Sequence, residues 1–306
     1  MIMRQINLSP RVQIETFKLF CDLVETESFS EAAERNGITQ SAVSQRMSAL
    51  EKEFGAVLVE RGKRSFGLTP EGRVFLEGSR AILETLEGTR MRLDELRNLV
   101  AGELRLTTVY SIGLHELSPH LKRFREEFPQ VELEVSYRRA TQIYSDVLEG
   151  RADMGFVAYP KERKGLVVES YWKDRLVLVC APGHRFGKRK RLRLGDLAGE
   201  EFVSFEPDVP TRNALDAIFE AAGVEVAKVM EFDNVETVKR AVEIEGAASI
   251  IPLKAAAAEV EAGRLQAVPI EHGEMWRPLG IIRKRTKAVT PAMREFVEAL
   301  KGFEEL

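Results

Sequence analysis

A short polar run at the start of one predicted helix is the part of the chain best suited to contacting another molecule. The stretch Ile38 to Gly55 reads ITQSAVSQRMSALEKEFG. Its apolar side chains Val43, Met47 and Leu50 fall at i, i+4 and i+7, the spacing of one buried helical stripe. The other side chains of the first turns therefore face outward: Gln40, Ser41, Ala42, Ser44, Gln45 and Arg46. Gln and Arg can bond base edges bidentately, while Ser and Ala contact thymine methyl groups or phosphates.

A second set of candidate residues lies in four loops of the C-terminal 200 residues, where predicted strands end and helices begin. Free backbone N–H groups and the positive helix end at Ser111, Thr141 and Thr211 favour an anion. Arg212 can close on that anion bidentately. The predicted ligand-binding residues are Ser111, Ile112, Thr141, Thr211, Arg212 and Asn234. The alternative is that these Ser and Thr side chains only cap their helices.

Signatures of catalysis are missing from the sequence. It has no P-loop, no dinucleotide-binding glycine pattern and no nucleophile elbow such as G-x-S-x-G. The four histidines, at positions 115, 120, 184 and 272, are scattered and form no zinc-type cluster with cysteine. We therefore expect no catalytic residue, no metal site and no cofactor, and the chain is not predicted to be an enzyme.

The elements around the polar run predict a helix-turn-helix. Ser28 or Ser30 can cap a helix whose inner face holds Ala32 and Ala33, and small side chains allow close packing. Gly37 can end that helix in a left-handed conformation, and Thr39 can cap the next. In such a motif the second helix enters the DNA major groove. A helical hairpin used only for packing is the alternative, since residues 1–68 carry nine basic and nine acidic side chains.

A short hairpin is predicted after the second helix, in the stretch VLVERGKRSFGLTPEG. Its strands are 57–59 and 65–68, and its tip carries Arg61, Lys63 and Arg64. A basic wing of this kind suits the phosphate backbone of DNA, with Arg61 and Arg64 as the predicted contacts.

These motifs resemble the N-terminal signature of the LysR-type transcriptional regulators. The matching residues are Phe29-Ser30-x-Ala32-Ala33, Gln40-Ser41-Ala42-Val43-Ser44, Leu50-Glu51, Phe54-Gly55, Glu60-Arg61 and Leu68-Thr69-Pro70-Glu71-Gly72. The resemblance covers about 60 residues in register. It implies a sequence-specific DNA-binding regulator of transcription, with the outward residues of the second helix in the groove and the two arginines on the wing. Double-stranded DNA with a roughly palindromic promoter site is the expected partner, and RNA polymerase is a candidate partner.

One long helix is predicted from Pro70 to about Val100, because no proline interrupts this stretch and Pro70 suits a first turn. A 4-3 alternation of mostly apolar positions predicts a coiled-coil seam: Phe75, Ser79, Ile82, Leu86, Thr89, Leu93, Leu96 and Val100. A homodimer paired through this linker helix is the favoured interpretation, and a helix buried on its own domain is the alternative. The resemblance implies the same use of the helix, and homotetramers built from two dimers.

Alternating strand and helix patterns in the last 200 residues predict an α/β fold of open sheets with helices on both faces. The predicted domains are 1–69 (winged helix-turn-helix), 70–100 (linker helix) and 101–306 (ligand-binding domain). Lobe I is predicted at about 101–162 and 270–306, and lobe II at 163–269. The resemblance implies a two-lobed, periplasmic-binding-protein-like effector domain with a co-inducer between the lobes. We expect that ligand to be a small anionic metabolite. A plain solute-binding protein is the rival interpretation.

Composition and charge limit the class of protein to which the chain can belong. A length of 306 residues, with 44% hydrophobic and 30% charged side chains, is typical of a globular protein of about two domains. No apolar run reaches the ~18 residues of a membrane span, and no secretory signal is visible, so a cytoplasmic protein without a membrane partner is expected. With a net charge of −3, nucleic-acid contact must come from the local placement of charge.

Two features remain open at the level of sequence. Cys21 and Cys180 fall in different predicted domains, and two buried reduced thiols are favoured over a redox switch. The run HRFGKRKRLR, His184 to Arg193, holds six basic residues. A solvated loop is the favoured interpretation of that run, and a second contact to DNA or to an acidic partner is the alternative.

Overall fold

The computed structural model describes residues 13–61, 66–95, 100–273 and 275–301. The chain divides into two compact units, residues 1–97 and residues 98–306. The division falls close to the predicted start of the ligand-binding domain at residue 101. No described helix combines the length and apolar character needed to cross a membrane.

The N-terminal unit is a three-helix core followed by a hairpin and a long helix. Its elements are α1 (Ile14–Thr26), α2 (Phe29–Arg35), α3 (Gln40–Phe54), β1 (Val59–Arg61), β2 (Phe66–Leu68) and α4 (Pro70–Glu95). The predicted signals set these boundaries. The Ser28 side chain accepts a hydrogen bond from the backbone N–H of Glu31 at the start of α2. Gly37, with φ of +62°, makes the turn into α3, where an L side chain would be strained.

Small and apolar side chains form one core between α1, α2 and α3. Ala32 and Val43 are fully buried in it, and Met47 and Leu50 are almost so. The short alanine side chains let the second and third helices approach closely. Phe75 of α4 packs its ring against those of three other phenylalanines in this unit, which fixes the beginning of the long helix: Phe17, Phe20 and Phe54.

The predicted seam of the long helix divides into two parts. Phe75 contacts the core, and Ser79 is buried with its hydroxyl donating to the Phe75 carbonyl at 2.8 Å. Further along, Ile82 and Leu93 are 42% and 53% exposed. The first part of the seam is therefore occupied within the unit, and the second part offers apolar surface. Leu96 lies outside the described residues.

The C-terminal unit alternates strands and helices, as predicted. Its elements are β3 (Gly102–Thr108), α5 (Tyr110–Ile112), α6 (Ser118–Glu127), β4 (Val131–Tyr137), α7 (Ala140–Leu148), β5 (Met154–Ala158), β6 (Leu166–Cys180), β7 (Glu201–Phe205), α8 (Pro210–Ala222), β8 (Ala227–Phe232), α9 (Val235–Glu245), β9 (Ser249–Pro252), α10 (Leu253–Glu261), β10 (Gln266–Val268), β11 (Trp276–Lys284) and α11 (Pro291–Lys301). A π-helical turn, Gly113–Leu117, joins α5 to α6, and a 3-10 turn, Leu194–Leu197, precedes β7.

Two lobes share one long strand. In lobe I the strand order is β4-β3-β5-β11-β6, with β3 parallel to both β4 and β5 and β11 antiparallel to β5 and β6. In lobe II, β9 and β10 pair antiparallel to the end of β6. The parallel pair β7 and β8 completes lobe II. Each lobe has its own apolar cores, so each can hold its shape while the other moves.

The chain first crosses from lobe I to lobe II further along the sequence than predicted. Strand β6 pairs with β11 of lobe I from Leu166 to Arg175, and only from Leu176 onward does it pair with β9 and β10. The predicted boundary at residue 163 put this whole strand in lobe II, as two separate strands. The correction has a physical reason: no glycine or proline interrupts residues 166–180, so one strand crosses from one core to the other.

Candidate functional site

The outer face of α3 presents polar side chains at the beginning of the helix. Gln40, Ser41, Gln45 and Arg46 are exposed, whereas Ala42 and Ser44 are half-buried. All six predicted DNA-contacting residues of this helix therefore lie on its first turns. The hydroxyl, amide and guanidinium groups on these turns form a surface that can bond base edges.

The start of α3 is held by hydrogen bonds that leave its outer face open. The Thr39 hydroxyl accepts from the backbone N–H of Ala42 at 3.2 Å and lies 3.0 Å from the Ser41 hydroxyl. At the other end, Glu51 accepts from the backbone N–H groups of Leu58 and Val59 at 2.9 and 3.3 Å. The carboxylate thus fixes β1, the first strand of the wing, against α3.

The glycine of the LTPEG stretch has a packing reason. A Cβ atom added at Gly72 would lie 2.0 Å from the Leu58 carbonyl oxygen. The backbone N–H of Gly72 donates to the Thr69 hydroxyl, which itself donates to the Val57 carbonyl. This close approach ties the start of α4 to the wing.

Charge is distributed unevenly over the N-terminal unit. Acidic side chains of α1 pair with basic partners on α1 and α2, as in Lys18 with Asp22 and Arg35 with Glu25. Arg46 forms no ion pair with any other residue that the structure describes. Its cation is therefore available to a phosphate or a base. The Arg61 side chain and all of Arg64, the predicted wing contacts, lie outside the described residues.

A cleft between the two lobes contains two adjoining cavities. The first, here called the head cavity, has a volume of about 60 Å³. Three helices begin at its wall: α7 at Ala140, α8 at Pro210 and Thr211, and α9 at Asn234 and Val235. Because the free N–H groups and dipoles of helix N-termini carry partial positive charge, this convergence favours a negative group inside.

A buried arginine lines the same cavity. Arg277 of β11 is 3% exposed and bonds the Asp174 carboxylate of β6, with its Nε 3.0 Å from Oδ1. Its Nη1 donates to the Ser111 hydroxyl at 2.9 Å. Burial raises the pKa of the Asp174 carboxyl above its ordinary value, and the Arg277 guanidinium opposes that rise. The pair sits where β6 passes from lobe I to lobe II.

Arg139 joins the lobes across the mouth of the head cavity. Its guanidinium, at the start of α7, lies 3.0 Å from a carboxylate oxygen of each of Glu206, Asp208 and Asp233 in lobe II. Hydrogen bonding to Asp208 and its charge raise the pKa of the Arg139 guanidinium, which stays protonated. One cation therefore neutralises part of a cluster of three carboxylates in the cleft.

Two further polar contacts connect the lobes. His115 Nε2 lies 2.7 Å from Glu236 of α9, and Lys254 of α10 lies 2.8 Å from the nearly buried Glu116. Burial acts to raise the pKa of Glu236, but hydrogen bonds from His115 and Lys239 outweigh it and hold that pKa below its usual range. Every one of these contacts must break if the lobes separate at this edge.

The second cavity, here called the side cavity, has a volume of about 330 Å³ and shares wall residues with the first. Its polar lining comes from α7, from the loop after β5 and from α8: Thr141, Tyr144, Tyr159, Lys161, Arg163, Asp208 and Asn213. The side cavity widens the cleft on the side away from Arg277, which does not line it.

The structure brings four of the six predicted ligand-binding residues to these cavities. Ser111, Thr211 and Asn234 line the head cavity, and Thr141 lines the side cavity. The capping alternative also applies to one of them, because the Asn234 side chain accepts from the backbone N–H of Thr237 at 3.0 Å. Ile112 is fully buried in the core of lobe I and lines neither cavity.

Arg212 does not occupy the predicted position, and this expectation is corrected. Its guanidinium points into lobe II, where it bonds the Phe205 carbonyl, Glu231 and Asp216 at 2.5 to 2.6 Å. Helical position explains the difference: Arg212 follows Thr211 by one residue, a rotation of about 100° that turns its side chain away from the cleft. The arginines that line the head cavity are Arg138, Arg139 and Arg277.

Both cysteines are poorly suited to redox sensing. Burial raises the pKa of the Cys21 thiol and that of the Cys180 thiol to about 11. Since the thiolate is the reactive form, neither side chain is activated at neutral pH. The described residues also contain no group of three or more His, Cys, Asp or Glu side chains that could hold a metal ion.

The basic run after β6 is partly neutralised by its own surroundings. Arg185 pairs with Glu200, Arg189 with Asp196 at 3.1 Å, and Arg191 with Glu271 at 3.5 Å. The exposed Lys188, Lys190 and Arg193 remain solvated. These contacts agree with a surface loop.

A helix-turn-helix unit followed by a two-lobed unit with a cleft is typical of one class of protein: a DNA-binding transcription regulator with a ligand-binding domain. Comparison with known families agrees. Residues 14–73 match the bacterial regulatory helix-turn-helix of the lysR family, and residues 97–304 match the LysR substrate binding domain. The chain belongs to the LysR family of DNA-binding transcription regulators. Members of this family are regulators, not enzymes.

Relatives align over nearly the whole chain. An uncharacterized HTH-type transcriptional regulator of Methanocaldococcus jannaschii is 29% identical over 289 residues, covering 94% of this chain and 97% of the relative. The HTH-type transcriptional activator CmpR of Synechocystis is 26% identical over 292 residues, covering 95% and 96%.

Solved structures share the fold. A full-length OxyR variant from Pseudomonas aeruginosa has a TM-score of 0.74 at 18% identity, covering 95% of both chains. Full-length CbnR complexed with its target DNA has a TM-score of 0.65 at 22% identity, covering 95% of this chain and 99% of its own. The regulatory domain of Synechocystis CcmR, in complex with 2-PG, has a TM-score of 0.60 at 20% identity, covering 66% of this chain and 96% of its own.

Proposed function

We propose that this regulator reads a roughly palindromic promoter site through the outer face of α3, and that a small anionic metabolite bound between the lobes controls its activity. The observation that carries the ligand class is the convergence of Arg277 and three helix N-termini on the head cavity. The observation that carries DNA reading is the exposed polar run of α3.

The DNA-binding part of the proposal assigns roles by side-chain chemistry. Gln40, Gln45 and Arg46 are exposed and carry groups that bond base edges bidentately. Ser41, Ala42 and Ser44 contact phosphates or thymine methyl groups, and Arg61 and Arg64 of the wing contact the backbone. Such backbone contacts position the protein, whereas base contacts specify the sequence.

Two copies of the chain are needed to read a palindrome. The exposed Ile82 and Leu93 on α4 support a homodimer through this helix, since an apolar seam left in water favours pairing. Homotetramers and a contact with RNA polymerase extend the proposal on the basis of family membership. The structure of full-length CbnR complexed with its target DNA supports DNA as the partner of this chain.

The ligand part of the proposal follows from the charges around the head cavity. Ser111 and Thr211 offer hydroxyl groups, Arg277 offers a fixed cation, and helices α8 and α9 begin at the wall. A carboxylate or phosphate satisfies all of these groups at once. The CcmR regulatory domain, which shares this fold, is found in complex with 2-PG, and this supports a small ligand for the C-terminal unit.

Control of activity follows from differential binding. Arg139, His115 and Lys254 each contact a carboxylate of the opposite lobe and so connect the two lobes. An anion that competes with the carboxylates for Arg139, or adds contacts to both lobes, favours one arrangement over the other. Only such a difference in affinity can shift the equilibrium between arrangements.

The experiment for the DNA part is selection from a pool of random duplexes with the full chain. We expect enrichment of a two-fold symmetric site with half-sites about 10 base pairs, or a multiple of that, apart. No enriched sequence, with retention of random DNA only, would contradict base reading by α3.

The experiment for the ligand part is a thermal-shift screen of the full chain against small organic and inorganic anions. A ligand at 100 times its Kd stabilises by about 2.7 kcal/mol, which is readily measured. A smaller shift in Ser111→Ala at the same anion concentration, with the unfolding temperature of the chain alone unchanged, would assign the ligand to the head cavity. Stabilisation only by cations or neutral compounds would contradict the proposed anion preference.

A further inference from the structure

We infer that the ligand of this regulator is a dianion, with one anionic group in the head cavity and the second held by Lys161 and Arg163 at the side cavity. The inference rests on the proposed function and names the chemical class of its ligand. It follows from the sizes of the two cavities, their shared wall and the charges at the far end.

The head cavity is too small for a whole metabolite. Since one water needs about 10–15 Å³ of such space, a volume of about 60 Å³ holds only a few heavy atoms. A carboxylate or a phosphate group fits, and the rest of the molecule must lie elsewhere. The side cavity, at about 330 Å³, has room for that remainder.

The two cavities adjoin along a shared wall. Ala140, Ala158, Asp208 and Pro210 line both of them. Two of these four side chains are alanine, so little bulk separates the cavities. A ligand anchored beside Arg277 therefore continues past Ala140 and Ala158 into the side cavity.

The far end of the side cavity is positively charged. Lys161 and Arg163 line it, and neither forms an ion pair with another described residue. Asp208, its one acidic lining residue, is held by Arg139 at 3.0 Å. In contrast with the head cavity, where carboxylates already pair with the arginines, these two cations are free to bind a ligand.

A buried tyrosine holds this basic loop in place. Tyr144 of α7 is 5% exposed, and its hydroxyl accepts from the backbone N–H of Lys161 at 2.8 Å. The guanidinium of Arg163 lies 4.0 Å above the Tyr144 ring centre, a cation–π arrangement. Tyr144 thus holds the backbone of Lys161 and the guanidinium of Arg163, and the ordering of Arg163 lowers the entropic cost of binding there.

The inferred preference is for a second carboxylate or phosphate over a neutral or cationic tail. A monoanion fills the head cavity and leaves Lys161 and Arg163 to water. A dianion of sufficient length pairs with them as well. The extra charge-assisted bonds are directional, so the gain should depend on the separation of the two anionic groups.

The test is isothermal titration of the full chain with matched pairs of acids: butyrate and succinate, pentanoate and glutarate, hexanoate and adipate, with 3-phosphonopropionate added for a phosphate-like group. We expect at least one dianion to bind about tenfold or more tightly than the monoanion of the same length. In Lys161→Gln/Arg163→Gln, that advantage should disappear while monoanion affinity stays unchanged. Glutamine is shorter than either side chain and uncharged, but its planar amide at position 163 can still pack on the Tyr144 ring, and the Lys161 backbone bond to Tyr144 is kept.

The matched control is Lys188→Gln/Lys190→Gln, which removes the same charge from an exposed loop of lobe II that lines neither cavity. It should keep the dianion advantage. Equal affinity for both members of every pair, or an equal loss in the control, would overturn the inference while leaving an anion-binding cleft. If no acid binds to the unaltered chain, the proposed anion preference fails first, and the inference fails with it.

Discussion

The outer face of α3 and the inter-lobe cleft differ in how their charged groups are used before a partner arrives. On α3, Arg46 forms no ion pair with another described residue, and the glutamines are exposed. In the cleft, Arg139 holds three carboxylates and Arg277 is bonded to Asp174. The first surface can bind without breaking internal contacts, whereas the second must exchange protein contacts for ligand contacts.

This difference suits the two proposed roles. A DNA-reading surface gains from unpaired polar groups, because no protein contact has to break before they bond DNA. A ligand-controlled cleft needs two arrangements of similar free energy, and contacts such as that of His115 with Glu236 stabilise one of them. Arg139 connects the two lobes through its contacts with three carboxylates of lobe II, as a ligand bound to both lobes would.

The largest expected effect is the loss of stability when Arg277 is replaced. In Arg277→Ala, Asp174 is left buried and unpaired, and we expect a loss of about 3–5 kcal/mol in the free energy of unfolding of the C-terminal unit. Chemical denaturation measures it. Arg283→Ala on the same strand removes a more exposed pair with Glu169 and should cost less than about 1 kcal/mol. Equal losses in the two variants would contradict the central place of Arg277.

The α3 surface is tested next by Gln40→Ala. We expect a loss of about 1–3 kcal/mol in binding to a selected DNA site, and little change on random DNA, because a base contact is removed. Fluorescence anisotropy at fixed salt measures both affinities. Lys52→Ala, in the last turn of the same helix, is the control and should not relax sequence preference. An equal loss on specific and random DNA would exclude Gln40 from base reading.

A smaller effect on anion affinity distinguishes Ser111 from Arg212, two residues that the sequence analysis predicted to bind the same ligand. Ser111→Ala should weaken binding of the anion found by thermal shift by about 0.5–1.5 kcal/mol, because one hydrogen bond at the head cavity is lost. Arg212→Ala should lower stability and leave anion affinity unchanged, since its guanidinium bonds Glu231 and Asp216. Titration calorimetry measures both. A weakened anion in Arg212→Ala alone would reverse the assignment.

The smallest expected effect is that of oxidation. With thiol pKa values of about 11, Cys21 and Cys180 should react slowly with iodoacetamide or hydrogen peroxide at neutral pH. DNA affinity measured before and after peroxide treatment should be the same. Rapid alkylation of the folded chain, or a change of affinity that a reductant reverses, would establish a redox response.

The N-terminal unit was largely predictable because its information is local. Val43, Met47 and Leu50 define the buried face of α3, and Thr39 and Gly37 define where it begins. The outward residues follow by subtraction. The linker helix followed in the same way, although its period could not show that Phe75 and Ser79 pack inside the unit.

The cleft was predictable only in outline because its residues come together from distant strands. Ser111, Thr211 and Asn234 could be found as residues at helix starts, but a helix start does not tell which way the next side chain points. Arg212 was therefore misplaced. Arg277 and Asp174 were missed, since they lie in different strands 103 positions apart and carry no local motif. The sequence does not mark Asp174, because it stands between Lys173 and Arg175 in a charged stretch.

The central claim is that the cleft and the DNA-reading helix are coupled, and one measurement tests it directly. The affinity of the full chain for its selected DNA site is measured with and without a saturating anion found by thermal shift, and the anion's affinity is measured with and without DNA. We predict that both ratios are the same, about 5- to 150-fold, because coupling is reciprocal. Identical DNA affinities and footprints with and without the anion would contradict the claim.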